Sequence, residues 1–166
     1  MRVYQIKNYK AIEYYNIAWL YFLVSKYEEA SKWVDKILNQ PDVDSTYFYR
    51  CTRLFNMIIH FDLSDDLYLP YLTKSIQRAL SKREQPLYKL ELTLINFVNK
   101  ITSLGMGKNR KIELSDKMKK ELSITIKELY DSETLEHLAF TCWLESKIEN
   151  RTVAEIYKEK FGERFG

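Results

Sequence analysis

The amino-acid sequence predicts an all-α protein, seven to eight helices folded back on one another as antiparallel hairpins over 166 residues. Three observations carry that expectation. Only four glycines and three prolines occur, too few chain breakers for a strand-rich fold with many tight turns. Apolar residues recur at spacings of three and four, which puts them on one side of a helix. No segment alternates with the period of two that a half-buried strand needs.

The first helix is expected from about Tyr9 to Val24 and the second from about Tyr27 to Asn39, folded back at Ser25–Lys26 and closed by Pro41. Asp44 or Ser45 can cap a third helix that runs to about Leu63, because a side-chain oxygen there satisfies amides with no partner in the first turn. Ser64, Asp65 and Asp66 make the next turn. Pro70 suits the first turn of a fourth helix ending near Lys82, and Pro86 starts a fifth with the stripe Leu87, Leu90, Leu94, Phe97 and Ile101.

Gly105–Lys111 is the clear internal break. Ser115 then caps a sixth helix striped by Met118, Leu122, Thr125, Ile126 and Leu129, and Ser132 caps a seventh running from about Glu133 to Glu149. That seventh helix is apolar on two sides, one passing through Cys142 and the other through Phe140, Leu144 and Ile148, so it is expected to lie between neighbours. Thr152 and Glu155 make a capping-box pattern for a short last helix. The whole chain is expected to form a single domain: a first hairpin over 9–41, a second over 45–83 and a less regular helical cap over 86–166.

An apolar fraction of 46% with 30% charged residues is that of a folded chain able to bury a core. The net charge of +3 implies no partner by itself, but its distribution is uneven. Residues 74–120 carry 12 basic and 4 acidic side chains, between a near-neutral N-terminal part and an acidic C-terminal one. Cys51 and Cys142 sit in apolar helical patterns without metal-ligand spacing. Buried free thiols are therefore expected, which fits a reducing, cytoplasmic compartment. The N-terminal MRVYQIKNYK lacks the apolar core of a signal peptide, and no apolar run is long enough to span a bilayer.

Tyr14, Ile17, Ala18, Tyr21, Ala30, Val34 and Pro41 alternate large, small and turn-making residues in an order that resembles the tetratricopeptide repeat (TPR). Ala18 and Ala30 are small enough to let paired helices approach. Tyr14, Ala18 and Val34 depart from the commonest residue types, and Pro41 comes one residue early. The second hairpin keeps the length of the repeat without its small residues. The chain also looks like the C-terminal part of TPR-like proteins of Bacteroidota, through Arg53–His60 (RLFNMIIH), Tyr88–Glu91 (YKLE) and Trp143–Asn150 (WLESKIEN). The resemblance implies a right-handed solenoid of stacked hairpins, a fragment of a longer protein, and a scaffold that docks a partner. It implies no activity.

In such a repeat the groove-facing stripe of the first helix would be Ile12, Tyr15, Trp19 and Phe22. Aromatics in a groove would anchor an apolar or amphipathic peptide. The plainer use of the same stripe is to pack a preceding helix or a second copy. On the third helix, Arg50, Arg53, Asn56 and His60 form a polar stripe that could hold a carboxylate or phosphate through charge-assisted hydrogen bonds. Its plainer use is to tie adjacent helices, with the arginines reaching solvent.

Lys74, Arg78 and Lys82 share one helix face and are followed by Arg83, Lys89, Lys108, Arg110 and Lys111, which keeps nucleic-acid binding as an alternative. Nearby glutamates and the absence of interleaved aromatics weigh against it and towards a solvated face. GMGKN lacks the glycine spacing and the Ser or Thr of a phosphate-binding loop. His60 and His137 make no metal pair, and Cys142 and His137, five apart, point in different directions. The expectation is a non-catalytic peptide- or protein-binding scaffold with no cofactor and no metal, or else a purely structural domain.

Overall fold

In the computed structural model of the chain the described residues are 9–40, 47–81, 89–103, 114–132 and 135–162. They form eight α-helices and no strand: α1 (Tyr9–Leu23), α2 (Tyr27–Leu38), α3 (Tyr47–Asp62), α4 (Leu69–Ser81), α5 (Lys89–Ser103), α6 (Asp116–Ser132), α7 (Leu135–Glu149) and α8 (Val153–Phe161). The all-α expectation is met. None of these helices is long and apolar enough to cross a membrane. Pro41, Pro86, the cap at Asp44 or Ser45, the Gly105–Lys111 break and the side chain of Ser132 lie outside what is described. The chain divides into two compact units, Met1–Ala79 and Leu80–Gly166.

Three helices end on a residue with positive φ, and none of the three is glycine: Ser25 (60°), Ser64 (57°) and Asn150 (53°). Each stands just past a helix C-terminus, where left-handed backbone lets later amides reach back to open carbonyls. After α1, the Lys26 amide donates to Tyr21 O at 2.9 Å and the Ser25 amide to Phe22 O at 3.0 Å. Past α3 the same pair is Asp65 to His60 O and Ser64 to Phe61 O, both 3.0 Å. A chain poor in glycine thus ends two of these helices on serine, which bears the steric cost of left-handed backbone, and one on asparagine, which tolerates it.

In the first unit α1 and α2 are antiparallel, as their pairings run backwards along the chain. Phe22 meets Tyr27 and Tyr14 meets Trp33, with ring centroids 5.2 and 5.3 Å apart, while Ala11 packs with Ile37. Ala18 and Ala30 are both fully buried, which lets the two backbones approach. The helix α3 packs on α2 and runs parallel to α1: Tyr15 reaches Phe48, and Trp19 and Phe22 reach Phe55. From Leu54 to Ile59 every residue of α3 is buried, so this helix is the centre of the unit.

The second unit is built around α7, which packs on α5, α6 and α8. Phe140, Thr141, Cys142, Trp143 and Leu144 are consecutive and all fully buried, so the helix is enclosed on more than one side as its two apolar faces predict. Tyr130 of α6 donates to Glu145 Oε2 at 2.5 Å, and Lys160 of α8 meets Glu145 Oε1 at 3.0 Å. One carboxylate on α7 therefore ties both neighbours.

Two caps read from the sequence are present. Ser115 Oγ accepts from the Met118 amide at 3.4 Å. Thr152 Oγ1 accepts from the Glu155 amide at 3.2 Å while Glu155 Oε2 accepts from the Thr152 amide at 2.8 Å, a full capping box. Thr152→Ala is expected to destabilise α8 by about 1 kcal/mol, read from a denaturant midpoint. The backbone and side-chain hydrogen bonds from Thr152 hold the Glu155 carboxyl below its ordinary value. Its part in the cap is complete above the unfolded carboxyl pKa and is lost as pH falls through the lower folded one. The variant's deficit should therefore shrink in acid, and a deficit independent of pH would count against the box.

Candidate functional site

The polar residues of α3 at spacing three and four are Arg50, Arg53, Asn56 and His60, with Tyr49 one turn before Arg53. Arg53 is half-buried, its guanidinium 4.8 Å from the centre of the Tyr49 ring, a cation–π contact that fixes its stem. Asn56 is 3% exposed, and its Oδ1 is buried and accepts no hydrogen bond. His60 is held from the turn after α3: Nδ1 lies 3.1 Å from Asp65 Oδ2 and the ring meets Tyr68 edge-on at 4.8 Å. Arg50, one turn before Arg53, is itself buried.

The four stripe residues of α1 are placed differently from an open groove. Phe22 is 2% exposed, and Ile12, Tyr15 and Trp19 are half-buried. Tyr15, Trp19 and Phe22 all converge on the ring of Phe55, at 5.4, 4.4 and 5.4 Å. The physical reason is the area of apolar surface involved: each ring removed from water contributes roughly 1.5–3 kcal/mol, and α3 supplies the cover. Tyr15, Trp19 and Phe22 form a seam between α1 and α3, so substitutions there report on packing first. Of the predicted site residues, Arg50, Arg53, Asn56 and His60 follow one another along α3, and Tyr15, Trp19 and Phe22 share a cluster.

Chemistry that would suit a nucleophile is not favoured at the buried thiol. Cys142 is fully buried, and burial pushes its pKa up to about 11, leaving it protonated and poorly nucleophilic near neutral pH. Its neighbour Tyr130 is pushed far above the ordinary phenol value, first by burial and then by its hydrogen bonds with Cys142 and Glu145. Among the described residues no group of three His, Cys, Asp or Glu side chains could hold a metal ion.

A cleft that the sequence reading missed lies between α5 and α6. It encloses about 230 Å³ over a floor of Phe97, Leu114, Met118 and Leu122. In the sequence Phe97, Met118 and Leu122 read as core, because they continue the apolar stripes of their helices. Only the tertiary spacing of α5 and α6 leaves Met118 and Leu122 partly reachable.

No protein-family model matches the chain, and neither a curated protein nor a solved structure is significantly similar to it.

Proposed function

We propose that this chain is a non-catalytic scaffold of TPR-like helical hairpins that binds a peptide or protein through the polar face of α3. The observation that carries this reading is the Asn56 carbonyl, buried on that face with no donor to accept from. Leaving such a group unpaired costs roughly 1–3 kcal/mol. Because the carbonyl is covered, a ligand N–H reaches it only when the side chains over this face move aside, and it then recovers that cost; a peptide main chain is the commonest source of such a donor. Arg53, steadied on Tyr49, supplies a cation for a carboxylate beside that amide. His60 is committed to Asp65 and shapes the turn.

Asn56→Leu separates this reading from a purely structural one. Removing an unpaired carbonyl while keeping the volume is neutral or stabilising, so the denaturation midpoint should hold or rise. Peptides selected from a random library against the unaltered chain should bind the variant about tenfold more weakly, about 1.4 kcal/mol. Selected peptides that bind Asn56→Leu and Arg53→Glu at full affinity would remove the site.

One observation favours a second reading, single-stranded nucleic acid on α4. Tyr71 is 73% exposed, one turn before Lys74 and two before Arg78, the arrangement that stacking on an aromatic beside phosphate contacts requires. Affinity falling steeply with salt would mark that mode.

A further inference from the structure

We infer that the α5–α6 cleft is a second binding site, one that takes a single bulky apolar side chain of a peptide with an acidic residue beside it. It lies in the other compact unit from Asn56 and stands whether or not α3 binds anything.

The size of the cleft selects the occupant. About 230 Å³ is below the ~300–1,000 Å³ of small-molecule and cofactor sites, yet it suits one large side chain acting as an anchor. The floor is apolar and graded. Phe97 and Leu114 are each 6% exposed, while Met118 and Leu122 are half-buried and partly reachable. Met118 can repack around different anchors, since an unbranched thioether has no strongly preferred shape.

The rim selects the chemistry next to the anchor. Thr93 and Thr125 are spent: their hydroxyls donate to Lys89 O at 2.8 Å and Glu121 O at 3.2 Å on their own helices. The Glu121 carboxylate faces Lys117 at 3.9 Å, which offsets part of its charge. What stays open is the exposed amide of Asn96, able to donate to and accept from a peptide bond, and the exposed ammonium of Lys100. Neither has a side-chain partner among the described residues. One open cation beside an apolar hole complements one carboxylate beside an apolar side chain, whereas a phosphodiester would find no second lining cation among the described residues.

The test is titration of the full chain, observed by NMR at the Leu and Met methyl groups, with N-acetyl-Trp-Glu-amide. Expected are shifts at Leu114, Met118 and Leu122, with N-acetyl-Ala-Glu-amide binding about thirtyfold more weakly for loss of the buried ring. N-acetyl-Trp-Lys-amide should bind about fivefold more weakly, and exposed Lys100→Glu should invert that preference. Leu122→Trp, which fills the hole, should abolish binding, while Asn56→Leu should leave it unchanged. Absence of shifts at the floor, an Ala probe as good as the Trp probe, or a charge preference untouched by Lys100→Glu would each overturn the proposal.

Discussion

Truncating Phe55 to alanine is expected to destabilise the first unit by about 3–5 kcal/mol. Phe55 is fully buried, and its ring is the common neighbour of Tyr15, Trp19 and Phe22. Each aromatic pair adds roughly 0.5–1.5 kcal/mol beyond area burial, although three pairs sharing one ring do not add. The cavity left behind would border Trp19, whose fluorescence reports the change directly during denaturant unfolding. Phe55→Leu, which keeps most of the volume, should lose far less. Trp19→Ala and Phe55→Ala should also fail to add, because their rings are 4.4 Å apart. A loss under about 1 kcal/mol for Phe55→Ala would mean that α1 and α3 are not held by this cluster. The same geometry governs how binding experiments are read: weaker binding by a Phe22→Ala or Trp19→Ala variant would follow from lost packing alone. Arg53 and Asn56 are the positions where binding and stability can be separated.

Local features of the fold were legible because their causes span a few residues. The capping box of α8 needs only Thr152 and Glu155, and the turns at Ser25 and Ser64 follow where apolar periodicity stops. The burial of α7 on several sides was also visible, since Phe140, Cys142 and Leu144 cannot share one face. What periodicity leaves open is the identity of the partner across a seam. The Ile12–Phe22 stripe was recognisable as too apolar for water, but nothing within α1 says that Phe55, far along the chain, fills the space beside it. His60 illustrates the same limit on the polar side. Its spacing places it with Arg53 and Asn56, yet Asp65, across a turn made possible by the left-handed Ser64, takes its imidazole. The α5–α6 cleft was hidden for the converse reason: a stripe predicts burial, and only the gap between two helices shows where burial is incomplete.

Trp143→Ala should be the corresponding loss in the second unit, again about 3–5 kcal/mol, and it should carry a functional consequence. The indole is fully buried on α7, edge-on to Phe97 at 5.7 Å and 88°, with Lys147 Nζ 5.1 Å from its ring centre. Phe97 is therefore shared: one side rests on Trp143 and another forms the floor of the cleft. Removing the indole frees Phe97 to drop into the vacated volume, which deepens and reshapes the cleft from below. Binding of the tryptophan dipeptide should weaken along with stability, whereas Thr152→Ala, which acts at the α8 cap, should lower stability and leave the dipeptide's affinity unchanged. Trp143→Phe should preserve part of both, because a smaller ring still supports Phe97. Circular dichroism during denaturant unfolding supplies the stability and methyl shifts supply the affinity. Intact dipeptide binding in a Trp143→Ala chain that has lost several kcal/mol would show that the floor is held independently of α7. The cleft would then have to be explained by α5 and α6 alone.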